Sequence, residues 1–125
     1  MSFAKLCVVG IIATLPFGLA FLFAPEAVGS LYGIGSWTAG TLFVARLLGI
    51  GFLFMAGAVF AARPSADRDF RRRLSACFGI ASALGAVVSA NSTLGGGVNA
   101  MGWTAVALYG FFTLAWGSIA LRRSG

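Results

Sequence analysis

The sequence predicts an all-α integral membrane protein, a four-helix bundle with both termini cytoplasmic, and three observations carry that prediction. First, 59% of the 125 residues are hydrophobic and only 10% are charged, with a mean hydropathy of +0.95. A soluble domain is closer to half apolar and a quarter charged. Second, the apolar residues fall into four runs, at about 3–24, 40–62, 74–90 and 101–121, each near the length of about 20 residues that crosses a hydrocarbon core as a helix. Third, almost all basic residues lie at the ends of these runs, where they orient spans. Four spans and three short connections use the whole length, so residues 1–125 are read as one transmembrane domain.

The first run, to Ala24, starts with Lys5 and resembles a signal peptide, but its apolar part is long and Pro25 follows the only small-residue cleavage point, so it is read as a retained span. Pro16 lies mid-span. It removes a backbone donor and crowds the preceding turn, which predicts a kink near Ala13 to Pro16, with Thr14 placed to satisfy a carbonyl freed by it. The connection PEAVGSLYGIGSWT then opens with Pro25 and Glu26, a pair suited to the first turn of a short helix. Gly29, Gly33 and Gly35 interrupt it. Tyr32 and Trp37 carry polar tips on apolar bodies, the type enriched at headgroup level, so this segment is expected to lie along the membrane surface.

The second run, GTLFVARLLGIGFLFMAGAVFAAR, contains Arg46, the only charge well inside an apolar stretch. An arginine at that depth costs at least about 2.5 kcal/mol near a helix centre and less toward the interface, so it is a candidate intramembrane charge site whose partner must be found. Glu26 is the one acid on the same predicted side and is the expected partner; the alternative is an interfacial anchor whose stem reaches the headgroups. Gly49, Gly51 and Gly57 punctuate this span. Small residues let helix backbones approach where lipid offers no hydrophobic drive to associate, and these three are candidate packing positions.

RPSADRDFRRR follows, with Arg63, Arg68, Arg71, Arg72 and Arg73. The positive-inside rule places it in the cytoplasm, together with Lys5, Arg122 and Arg123. Such a cluster beside a span is suited to anionic lipid headgroups. It is not suited to nucleic acid, because the charge sits at span ends instead of tracking a phosphate backbone. In the third span Ser75, Gly79 and Ala83 form one series of small residues and Ala81, Gly85 and Ser89 a second, which predicts that this helix is the most buried. NSTLGGGVNAMG is read as a turn-forming connection. Its glycines are not followed by the lysine a phosphate loop needs. The last span carries Trp103 and Trp116 toward opposite ends, the aromatic belt pattern, and has Gly110 and Gly117 on one face.

No histidine is present, which removes the usual general base and the commonest metal and haem ligand. Cys7 and Cys77 lie on separate spans without the spacing of a zinc or redox pair and are read as reduced, buried thiols. No carboxylate falls within the predicted membrane depth, so the usual device of proton-coupled transport is missing. The expectation is a protein without catalytic residues, cofactor or metal.

A first span ending in FAPEA, a glycine-rich connection and then VARLLGIGFLF, with Arg46 followed by Gly49 and Gly51, resembles small four-span bacterial membrane proteins of the DoxX-like type and related uncharacterised families. The likeness covers most of the chain by architecture and about ten residues by motif. It implies an inner-membrane helical protein, in some cases associated with redox partners or other membrane subunits. The expected function is an accessory or scaffold subunit that packs against itself or another membrane protein. The alternative is a binder or transporter of a lipid, quinone or anion that uses Arg46.

Overall fold

The computed structural model describes residues 1–122 of the chain; Arg123 lies outside the described residues. Those residues form five helices: α1 (Phe3–Phe23), α2 (Pro25–Leu31), α3 (Ala39–Ala62), α4 (Arg68–Leu94) and α5 (Gly102–Leu121), with no strand among them. Four of the five, all but α2, are long and apolar enough to cross a membrane. The chain divides into two compact units, one of Met1–Leu6 with Pro64–Gly125 and one of Cys7–Arg63.

In the second unit, α1 carries Pro16 in its interior. Proline there leaves the carbonyl four residues earlier, on Ile12, without its usual helical donor. The Thr14 hydroxyl does bond a carbonyl, but it donates to Gly10 at 2.7 Å. That is the ordinary back-bond of a helical threonine to the residue four positions earlier. The expected repair of the proline break is therefore not made by Thr14. Helix α2 begins with Pro25 at its first turn and Glu26 beside it, and buries Pro25, Val28 and Gly29. Helix α3 starts at a reciprocal cap: the Thr41 amide donates to Thr38 Oγ1 at 3.2 Å, and the Thr38 amide donates to Thr41 Oγ1 at 2.7 Å. Two amides left open by the helix geometry are satisfied this way.

In the first unit, α4 is much longer than the predicted 74–90, reaching back into the arginine run and forward through Asn91, Ser92 and Thr93. Asp67 sets its start by accepting from the Phe70 amide at 3.1 Å, and Asp69 places a negative charge in the first turn. Arginine is a good helix former, and no proline interrupts the run. Its expected rank as the most buried span is also wrong. Only 17% of its apolar part is buried, against 28% for α1. One face of α4 packs on α5, while Ile80, Leu84, Val87 and Val88 stay exposed on the other. Gly79 and Ser82, with Ser75, make the buried stripe; Ala83 is half-buried beside it. The core of this unit is Trp116 of α5, edge-on to Phe3 at 6.1 Å and tilted against Phe78 at 5.1 Å.

Helices α2 and α4 end alike. After α2, Gly33 takes φ 81°, its amide donates to Ser30 O at 3.1 Å, and the Ile34 amide donates to Gly29 O at 3.0 Å. After α4, Gly96 takes φ 77°, its amide donates to Thr93 O, and the Gly97 amide donates to Ser92 O at 2.9 Å. This pair of bonds is the Schellman closure, and the left-handed residue in it is glycine because a Cβ is strained there. Replacing Gly33 or Gly96 by Ala should each lower stability by about 1 kcal/mol. Thermal melts in detergent measure this, and an unchanged melting temperature for both variants would show that these ends are not closed in this way.

Candidate functional site

Arg46 lies about 10 Å along α3 from Ala39 at the helical rise of 1.5 Å per residue. Its side chain is exposed, and so is that of Glu26. No ion pair, hydrogen bond or ring contact engages Arg46 among the described residues, so the expected Glu26–Arg46 pair is not formed. Around it, Phe43, Val44, Leu47 and Leu48 are exposed apolar side chains. The guanidinium thus stands alone on an apolar surface. Within a bilayer, a charge so placed requires an external counter-group or water at the headgroup boundary.

One turn further on, α3 meets α1. A Cβ built on Gly49 would fall 2.7 Å from the Gly18 carbonyl oxygen and 2.8 Å from the Leu22 amide nitrogen, while one built on Gly18 would fall 3.0 Å from the Gly49 carbonyl oxygen. Each glycine receives the backbone of the other helix. Phe52 of α3 continues the seam, stacked on Phe21 with ring centroids 6.1 Å apart. Gly18 was not singled out from the sequence. Its signal is only a glycine in an apolar run, and nothing in the spacing names its partner. Gly51 and Gly57 behave differently, since a Cβ on either would meet no atom within 4 Å. Neither lies against α1 within its own unit. In the connection after α2, the Trp37 ring lies over Gly29 and occupies the space a Cβ there would need.

The same test sorts the small residues of the first unit. A Cβ on Gly79 would lie 3.4 Å from the Gly117 amide nitrogen, and one on Gly85 would lie 2.7 Å from the Tyr109 ring. Ser75 is fully buried, and its hydroxyl has no hydrogen-bond partner. Gly110 and Gly117 both present their own faces to open space.

The arginine run divides into two groups. The Arg71 guanidinium donates to the Ser65 carbonyl and lies 5.1 Å over the Phe3 ring. Arg72 donates to the Ala120 carbonyl at 3.1 Å, capping the end of α5, and Arg122 donates to the Met1 carbonyl at 3.2 Å. These contacts bring the chain start, the beginning of α4 and the end of α5 to one end of the unit. Arg63, Arg68 and Arg73 are exposed and have no side-chain hydrogen bond or ion pair among the described residues. The sequence treated all five as headgroup ligands; two of them also tie the fold together. Of the cysteines, Cys7 is buried as expected but Cys77 is exposed, because it lies on the outer face of α4.

Among the described residues, no three Cys, Asp or Glu side chains gather as a metal site would require. No protein-family model, curated protein or solved structure matches the chain.

The two classes of glycine on α3 give a direct test of the seam. Gly49→Ala should destabilise the protein by about 1–3 kcal/mol, because the Cβ meets backbone that cannot rotate away. Gly51→Ala should be neutral or stabilising, by up to about 1 kcal/mol, since alanine is the better helix former and nothing lies in its way. Equal effects of the two substitutions on the melting temperature in detergent would contradict the seam.

Proposed function

We propose that the chain is a four-span protein of a bacterial cytoplasmic membrane, with both termini and the α3–α4 connection in the cytoplasm, and that it serves as an accessory or scaffold subunit of the DoxX-like kind. The observation that carries the membrane reading is the exposure of large apolar side chains on every long helix. Ile12 is 67% exposed, Phe54 76%, Ile80 66% and Leu114 77%. In water such surfaces, repeated on four helices, would drive aggregation; in lipid they are the ordinary exterior.

Orientation follows from charge. Arg68, Arg71, Arg72 and Arg73 lie in the first turns of α4, at the positive end of its dipole, where each cation is disfavoured by a few tenths of a kcal/mol or more. Their retention there is supported by the carbonyls that Arg71 and Arg72 reach and by the anionic surface of a cytoplasmic leaflet, which attracts basic residues by about 1 kcal/mol each. Arg63, Arg68 and Arg73 are the members of the cluster left free for anionic lipid.

The subunit reading is supported by Gly110 and Gly117, seven residues apart on one face of α5, with nothing within 4 Å of a Cβ on either. A second copy, or a helix of another membrane protein, can approach the α5 backbone there. The absence of histidine from the sequence argues against a catalytic role. Leucine at Gly110 should remove a larger species on native electrophoresis of solubilised membranes while leaving helical content and melting temperature unchanged; Gly117 is kept, because its backbone also receives Gly79 of α4. A protein that runs as a monomer before substitution, or a complex indifferent to this leucine, would reject the subunit reading.

A further inference from the structure

Helix α3 carries an open apolar groove of ≈ 490 Å³, lined by Ile50, Leu53, Phe54, Gly57 and Ala58. It exists because Gly57 places no side chain between its neighbours, and it borders the α1–α3 seam, since Leu53 also reaches the place a Cβ on Gly18 would occupy, 3.0 Å away. Arg46, Ile50, Leu53 and Gly57 follow at four-, seven- and eleven-residue intervals, so they share one face of the helix. An exposed cation without a partner among the described residues therefore shares its helix face with this shallow apolar groove, with about 16 Å of helix between Arg46 and Gly57.

We infer that this face of α3 is a binding site for one anionic phospholipid, its phosphate held by Arg46 and an acyl chain laid along Ile50, Leu53, Phe54, Gly57 and Ala58. The inference rests on the reading of α3 as a membrane span, and it adds a ligand that the subunit role does not require. Charge complementarity selects the occupant. α1, α3 or α5 of a second copy would fill the groove but, carrying no acid, would leave the guanidinium without a counter-charge at that depth. Free phosphate would satisfy Arg46 but leave the groove uncovered. An amphiphile with an anionic head answers both, and a guanidinium is suited to a phosphate because it presents planar, paired donors. The arrangement also accounts for an arginine surrounded by Phe43, Val44, Leu47 and Leu48, a setting that otherwise leaves a charge uncompensated.

The test is lipid retention after reconstitution of the full chain into vesicles of phosphatidylglycerol and phosphatidylethanolamine, re-extraction and native mass spectrometry. The wild-type protein should keep one phosphatidylglycerol in preference to phosphatidylethanolamine. Arg46→Gln should lower that retention at least about tenfold, the loss of one charge-assisted contact. Gly57→Leu, which fills the groove at a position where a Cβ meets no atom within 4 Å, should lower it as well. The Arg68→Gln, Arg73→Gln double variant should retain it. Undiminished retention in either single variant, equal retention of both lipids, or a protein dimer in place of the lipid would overturn the inference. Alkaline extraction of the same vesicles separates the two levels of the argument: protein released by carbonate defeats the membrane reading and this site with it, whereas protein that stays in the bilayer without a selective lipid defeats the site alone.

Discussion

Gly49 has no side chain to place between α3 and α1, and the Gly18 carbonyl occupies the space that a Cβ would need. Close approach of backbone to backbone is the constraint on which the packing in each unit depends. Where the large apolar side chains point outward, they cannot hold helices together, and lipid gives no hydrophobic reason for helices to associate. What remains is dispersion between closely fitted backbones, which falls away with fractions of an ångström. The second unit obtains that fit at Gly18 and Gly49. The first obtains it where Gly79 lies on Gly117, and adds side-chain packing where Gly85 receives the Tyr109 ring and where Trp116 meets Phe3 and Phe78.

Polar groups fit the same constraint. Hydroxyls of Thr14, Thr93 and Thr113 bond carbonyls four residues earlier in their own helices, and the ends of α2 and α4 fold their last carbonyls into glycine turns. Arg72 serves the end of α5 in the same sense, by donating to Ala120. These ends are thus closed within the chain, as a bilayer would require, whereas the Ile12 carbonyl opposite Pro16 keeps no helical donor. The buried Ser75 hydroxyl has no partner among the described residues, and Arg46, inside an apolar run, is a charged group to which they offer nothing. Its isolation is the chemical reason for looking outside the chain for a counter-ion.

The four long helices were legible in the sequence because length and apolarity are enough to define a span, and the short helix after Pro25 was legible from its proline and acid. The extent of α4 was not. Reading the arginines as a loop treated charge as a break in the helix, although Asp67 and Asp69 mark a start before them. Glycine spacing pointed to Gly49, Gly79 and Gly85, which lie against other chain segments, and equally to Gly51 and Gly57, which lie against nothing. Spacing states where a close approach is permitted, while the choice among permitted faces is made by the opposite helix. For the same reason a four-residue series through Ala83 missed Ser82. The helix repeats at about 3.6 residues, so the buried stripe from Ser75 through Gly79 continues at Ser82. The pairing of Arg46 with Glu26 followed from counting charges on one side of a topology, which sets no distance between them.

The central claim is that the large apolar side chains outside these helices face hydrocarbon. Spin labels placed singly at Phe54, Leu84 and Leu114 in reconstituted bilayers, in a background lacking Cys7 and Cys77, measure it through collision with oxygen, which concentrates in lipid, and with a water-soluble nickel chelate. The account predicts strong relaxation by oxygen and weak relaxation by the chelate at all three sites. Strong relaxation by the chelate at these positions would place them in water and contradict it.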